Sequence, residues 1–335
     1  MLGSMRLAER VQFFRELATL VDAGMSLGMA LSTLEGRRTS MELKLATQEA
    51  ARKVSSGQRL SDVMARHPRV FSELNRALVA AGEQGGRLDD MLNLSADYLE
   101  RELEFHQTLS RETFYPKLVA GAVLFIPLIT RMVITAITGS MGQALAVGLV
   151  GLAWCTLILG LPIVVVYVLV QRYGASRQGR IGLDRLKQRI PLVGPIVTKL
   201  SWARACRALS ALYSAGVPIN AAVQLSAKTA GNHAVEEVFL RAQRPLEEGK
   251  RLSEVLAQSG QIPALALSML KTGEESGNID ATMNKVADYF EAEASTSLKK
   301  LTLAIVPVAV IVFGVVVLFQ LVGFYQGYFS AVLSQ

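Results

Sequence analysis

Two cysteines in 335 residues are too few for a disulfide framework or a thiolate zinc site. Cys155 falls in an uncharged apolar stretch and Cys206 in a charged one, so the two are not expected to pair. Histidine is as scarce: His67 precedes Pro68, His106 lies in a charged run, and His233 follows Gly231-Asn232. None has a second ligand at metal-site spacing, so all three read as solvated surface. The phosphate-cradling Gly-x-x-x-x-Gly-Lys-Ser/Thr loop is missing, since Gly249-Lys250 runs into Arg251 without the upstream glycine. The Gly-x-Ser-x-Gly nucleophile elbow is missing too. Neither a cofactor nor an enzymatic activity is expected. No alternating apolar and polar run is long enough to make a strand. An all-α fold is expected.

Charge is also sparse, at 19% against 51% hydrophobic residues. Met132 to Gln171 carries no acidic or basic residue, and Leu301 to the end carries none either. Uncharged runs beyond about 18 residues read as membrane spans. The net charge of +7 is concentrated rather than spread. Residues 1–116 hold 15 Lys/Arg against 16 Asp/Glu, whereas 171–190 hold Arg172, Arg177, Arg180, Arg185, Lys187 and Arg189 against Asp184 alone. Basic charge beside a span follows the positive-inside rule. A nucleic-acid footprint would load one face of a folded domain, so no nucleic acid is expected. Glu9, Arg10, Arg15 and Glu16 interrupt any apolar core at the N-terminus, which argues against a signal peptide there.

What the chain does have is repetition. Gly82-Glu83-Gln84-Gly85-Gly86-Arg87-Leu88-Asp89 recurs, 191 residues on, as Gly273-Glu274-Glu275-Ser276-Gly277-Asn278-Ile279-Asp280. The offset persists to Tyr98/Tyr289, Glu100/Glu291 and Pro116/Pro307. Upstream it is 192, pairing Arg15 with Arg207, Ala23-Gly24 with Ala215-Gly216, and Gly57-x-Arg59-Leu60-Ser61 with Gly249-x-Arg251-Leu252-Ser253. One module is used twice.

Apolar residues at helical spacing, from Leu7 through Val21, open the module, and Gly24 or Gly216 sits where a left-handed cap ends that helix. Ser61 and Ser253 read as N-caps of short helices, and Asp89 and Asp280 as caps of the long last helix. Each copy reads as about six short helices. The expected organisation is a first helical repeat (1–116), a span (117–138), an uncharged turn (139–143) and a returning span (144–170). A basic linker (171–198), a second repeat (199–300), a last span (301–324) and a tail (325–335) follow. Pro116 and Pro307 are expected to kink the helices where they enter the membrane. Arg131, about seven residues from the end of the first span, is expected to snorkel to the interface. Charge places both repeats in the cytoplasm and the C-terminus outside.

The duplicated turn carries three readings. Its glycines let the chain reverse between helices, and Glu83 and Glu274 are suited to cap the start of a following helix. Alternatively Gly82, Glu83, Gly86 and Asp89, with Gly273, Glu274, Gly277 and Asp280, form an exposed surface that docks a partner. A cation site of Glu83 with Asp89 or Asp90 is a third reading, for which the oxygen ligands are too few to predict it.

Phe14-Arg15-x-Leu17-x-x-Leu20-x-x-Ala23-Gly24, then Gly-x-Arg-Leu-Ser, then Gly-Glu-x-Gly-Gly-x-Leu-Asp resemble the type II secretion F / type IV pilus PilC family over nearly the whole chain. The resemblance implies an inner-membrane platform protein with two homologous cytoplasmic six-helix bundles and three transmembrane helices. It also implies partners: a cytoplasmic hexameric assembly ATPase, a pilin or pseudopilin, other inner-membrane assembly proteins and further copies of the chain. A first helix that begins almost at Met5 resembles the compact type IVb pilus members. Cys206 stands where the first repeat has Phe14, so that helix is expected to pack less tightly. The alternative function is a transporter or channel subunit, which the spans make less attractive because they lack acidic residues and broken-helix pairs.

Overall fold

A computed structural model describes residues 2–37, 40–138, 142, 145, 146, 148–151 and 194–333. Apart from those isolated positions, the expected turn at 139–143, the returning span at 144–170, the basic segment up to residue 193 and Cys155 lie outside the described residues. Every regular element among the described residues is helical. The first copy comprises α1 (Leu2–Asp22), α2 (Leu27–Leu34) with a 3-10 turn at Glu35–Arg37, α3 (Met41–Ser55), α4 (Leu60–Met64), α5 (Glu73–Gly85) and α6 (Leu88–Glu112). α7 (Phe114–Thr138) follows. The second copy comprises α8 (Gly194–Ser214), α9 (Ile219–Thr229), α10 (His233–Glu247), α11 (Leu252–Ala257), α12 (Ala264–Ser276) and α13 (Ile279–Leu333). The chain divides into two compact units, Met1–Thr108 with Val193–Ser295, and Leu109–Leu192 with Thr296–Gln335.

In the first unit the helix ends follow local chemistry. Gly24 and Gly216 adopt φ of +83° and +79°. That geometry lets the Met25 and Val217 N–H groups reach back to the Leu20 and Leu212 carbonyls at 3.1 and 3.0 Å, satisfying acceptors the helix leaves open. Asn232 Oδ1 accepts from the Ala234 N–H at 2.9 Å and starts α10, as Ser72 does for α5 by accepting from Asn75. Ser61 and Ser253 are not the N-caps the sequence suggests. α4 and α11 begin two residues earlier than that, after Arg59 and Arg251, which supply no side-chain cap. His67 is not simply solvated either. Its Nε2 lies 2.9 Å from Glu49, and this bond, with help from Arg66, holds the Glu49 carboxyl below its usual range.

The two copies fill their cores differently. In the first, Phe13, Phe14 and Phe71 meet edge-on or tilted at 5.4–6.0 Å between ring centres. Their counterparts shrink to Ala205, Cys206 and the neighbourhood of Ile262. The second copy recovers the volume elsewhere: Trp202 stacks on Phe290 at 5.8 Å and leans on Phe239 at 5.5 Å. The positions equivalent to these three are Arg10, Leu99 and Thr47. The looser packing expected around Cys206 is therefore absent, since Trp202, Cys206 and Leu209 are all buried. Burial pushes the Cys206 thiol up to about 12. Because the thiolate is the reactive form, a Cys155→Ser variant should label with a maleimide only as the protein unfolds. Rapid native labelling would contradict this core.

In the second unit α7 and the C-terminal part of α13 expose Leu118, Phe125, Ile129, Leu303, Ile311, Leu318 and Phe319. These are the two helices among the described residues that are long and apolar enough to cross a membrane. α6 stops at Glu112, four residues before Pro116. A proline has no N–H to return to the i−4 carbonyl, so the Glu112 carbonyl loses its helical partner there. The helix restarts at Phe114, which places Pro116 in a first turn where a missing donor costs nothing. Pro307 lies inside α13, which runs on unbroken. Pro127 lies inside α7, and Gln320 Nε2 donates to its carbonyl at 3.0 Å.

Candidate functional site

Each duplicated turn joins the fifth helix of its copy to the sixth. Gly86 and Gly277 end α5 and α12 at φ of +66° and +72°. The Arg87 and Asn278 N–H groups then bond back to the Gly82 and Gly273 carbonyls at 3.0 and 2.8 Å. Those two carbonyls belong to buried glycines whose smallness lets the next helix close. A Cβ on Gly82 would come within 2.8 Å of the Met91 side chain, and one on Gly273 within 2.3 Å of Thr282. Asp89 and Asp280 occupy the first turns of α6 and α13, where a negative charge suits the helix dipole.

The glutamates do not face the helix that follows them. Glu83 reaches 23 residues back to the start of α4, where Oε1 accepts from the Leu60 N–H at 2.5 Å. Its Oε2 accepts from the Ser61 N–H at 3.3 Å and from the Ser61 hydroxyl at 2.5 Å. Glu274 repeats this at the start of α11: it accepts from Leu252 N–H at 2.5 Å, from Ser253 N–H at 3.1 Å, and from the Ser253 hydroxyl. A short helix whose N-cap residue is arginine thus receives its cap from another helix. Gly-x-Arg-Leu-Ser and Gly-Glu-x-x-Gly, widely separated in sequence, form one latch in each copy.

A second duplicated clasp ties the first helix to the last. Arg15 lies 2.6 Å from both Asp97 and Glu100, with Asn93 at 3.5 Å. Arg207 bonds Asn284 at 2.7 Å, Asp288 at 2.9 Å and Glu291 at 2.7 Å. The two clasps differ in burial, with side-chain exposure of 41% for Arg15 and 8% for Arg207. Burial pulls the Arg207 pKa down, but Glu291 and Asp288 outweigh it and the net shift is upward. Glu291 is also shifted up, because its own burial outweighs the favourable Arg207 charge. The sequence offsets pair Arg15 with Arg207 and Glu100 with Glu291, but spacing alone does not join the two pairs.

Between the copies lies a cleft of about 410 Å³, lined by Asp97, Tyr98, Glu100, Arg101 and Glu104 of α6 with Arg207 and Asn284 of the second copy. Three carboxylates line it, and Arg207 is already committed to Glu291, so it is poorly suited to a phosphate. No group of three or more potential metal ligands occurs among the described residues.

Comparison with known proteins follows the same duplication. The profile of the family described as Type II secretion system (T2SS), protein F, matches residues 13–136 and again 205–327. Type IV pilus assembly protein PilC of Myxococcus xanthus is 31% identical over 330 residues, covering 95% of this chain and 79% of the relative. PilC of Thermus thermophilus is 34% identical, covering 91% and 78%. Type II secretion system protein F of Xanthomonas campestris is 32% identical, covering 90% and 77%.

Proposed function

We infer the function of this chain from the family to which it belongs, that of type II secretion system protein F. We propose that it is the inner-membrane platform of a type IV pilus or type II secretion machine. It couples a cytoplasmic assembly ATPase to polymerisation of a pilin or pseudopilin, and has no catalytic activity of its own. In this reading the two copies are cytoplasmic six-helix bundles, three helices cross the membrane, the C-terminus is periplasmic, and several copies assemble. The observation that carries it is the match of both copies, separately, to one assembly family. The apolar surfaces of α7 and α13 support membrane insertion.

The turns enter this proposal with divided roles. The Glu83 and Glu274 carboxylates hold the latches, whereas Gly86, Arg87, Glu275 and Gly277 are exposed around them and present the docking surface. Asp89 and Asp280 start the helices behind it.

The test compares two kinds of variant in the native host, scoring fibre assembly or secretion against membrane abundance. Glu83→Ala and Glu274→Ala each remove a cap, costing about 0.5–2 kcal/mol; function should fall only as abundance falls. Arg87→Glu, exposed and outside both latches, should lower assembly at normal abundance. Loss in the glutamate variants at full abundance would return docking to the carboxylates, and normal assembly in Arg87→Glu would remove the turns from the interface. Purified chain should change the rate of the cognate ATPase and hydrolyse no nucleotide alone. An ATPase rate unaffected by the chain in a lipid bilayer would count against the platform reading.

A further inference from the structure

Beside the seam along α6, the two copies are joined asymmetrically among the described residues. α5 of the first copy lies on α8 and α9 of the second. The reciprocal arrangement would place α12 on α1 and α2, and no comparable contact is found there among the described residues. A two-fold pairing would use both; this pairing is head-to-tail. It leaves each copy with one half of the same interface unoccupied.

Burial at matched positions shows what the used half covers. α5 and α12 have the same length, start after Ser72 and Pro263, and end at Gly86 and Gly277. Asn75, Val79 and Gly82 are buried in α5, as are Ala266, Leu270 and Gly273 in α12, so these face each copy's own core. One position over, the copies part: Leu74 is 1% exposed, but its counterpart Leu265, also leucine, is 56% exposed. Leu78 is fully buried, whereas Met269 is only partly so. The stripe of Leu74 and Leu78 is thus buried on α5, the helix that packs on the second copy, and its counterpart is bare on α12. The receiving side behaves alike. Ala211 and Ala208 of α8 are buried while their counterparts Thr19 and Glu16 are not. Ala221 of α9 is partly covered, but its counterpart Met29 is 62% exposed. Large apolar side chains exposed to water are therefore found on both unused halves.

We propose that a second copy of this chain docks head-to-tail, α12 of one copy on α1 and α2 of the next, repeating between chains the interface that already exists within one. The proposal rests on the oligomeric part of the function proposed above and specifies its surface. The occupant follows from the duplication: the face that α5 recognises is α8 and α9, and the nearest equivalent is α1 and α2 of another copy. Lys228 marks the register. It pairs with Glu73 across the internal interface at 2.7 Å. The equivalent positions on the unused halves are Gly36 and Ala264, both exposed.

Cysteine pairs test this in the full chain, in membranes, with Cys155 and Cys206 replaced by serine and alanine. Gly36→Cys together with Ala264→Cys should give a ladder of dimers and larger species with a short bismaleimide. Either cysteine alone should give none. Leu265→Asp, on an exposed position, should abolish the ladder while leaving the unfolding midpoint unchanged. A dimer from the single Ala264→Cys variant would mean a two-fold interface and would overturn the proposal. Oligomers by light scattering without any ladder would also overturn it, while leaving the oligomeric reading intact. Monomers throughout would remove both.

Discussion

Trp202→Ala should unfold the second copy's core and lower stability by about 3–5 kcal/mol, the range for deleting a large buried aromatic. The indole is 1% exposed and is the centre of the contacts to Phe239 and Phe290. Nothing nearby can fill the cavity, because the matching residues of α8 are Ala203, Ala205 and Cys206, all buried and small. Trp202→Phe provides the internal control. It keeps a ring against Phe290 and removes an indole N–H that has no partner among the described residues. An unpaired buried donor is itself a cost of about 1–3 kcal/mol, so phenylalanine should recover most of the loss. Thermal unfolding of the detergent-solubilised chain measures both. An alanine effect below about 1 kcal/mol would mean that this cluster is not the core.

Arg207→Ala should cost about 3 kcal/mol, at the low end of the range for stripping one partner from a buried ion pair. Arg15→Ala, the same substitution in the exposed clasp, should cost at most about 1 kcal/mol. The difference comes from what is left behind. Glu291 is partly buried, with 26% of its side chain exposed, and already shifted upward by that burial, and only Arg207 opposes the shift strongly. Without the guanidinium its folded pKa rises further above the unfolded value. A carboxyl in that state is a liability when ionised, and the liability is relieved as pH falls through the raised folded value. The Arg207→Ala deficit should therefore shrink between neutral pH and about 4.5, whereas the Arg15→Ala deficit should not. Equal deficits at neutral pH, or one that grows on acidification, would remove the burial difference as the cause.

Much of this was legible from period alone. The offset of 191–192 located both turns, and the glycines that the sequence demanded at Gly24, Gly216, Gly86 and Gly277 do have positive φ. The destination of the glutamates was not legible. A cap is ordinarily sought within three residues of the helix it starts, and Glu83 caps one that began 23 residues earlier. The signal existed, since Gly-x-Arg-Leu-Ser and Gly-Glu are duplicated together, but proximity in space is not written in spacing. Nor could alignment of the copies show where the second core regained its aromatic volume. It registers Phe14 lost to Cys206; the compensation falls on Arg10, Thr47 and Leu99, three positions from three different helices.

The displaced aromatic clusters also bear on how a chain with two related modules avoids confusing them. Tandem homologues risk exchanging equivalent helices while folding, which gives misassembled hybrids. Here an exchange of α1 for α8 would put Arg10 in the buried place of Trp202 against Phe239 and Phe290, and would force Phe13 and Phe14 into the places that Ala205 and Cys206 fit. The other hybrid would lose Phe13 and Phe14 beside Phe71 and bring in a tryptophan with no aromatic at positions 47 or 99 to receive it. Each wrong product carries a steric or cavity penalty of a few kcal/mol. The two copies share one helix order, so what disfavours the exchange is the side chains: each first helix fits the aromatic cluster of its own module and not that of the other.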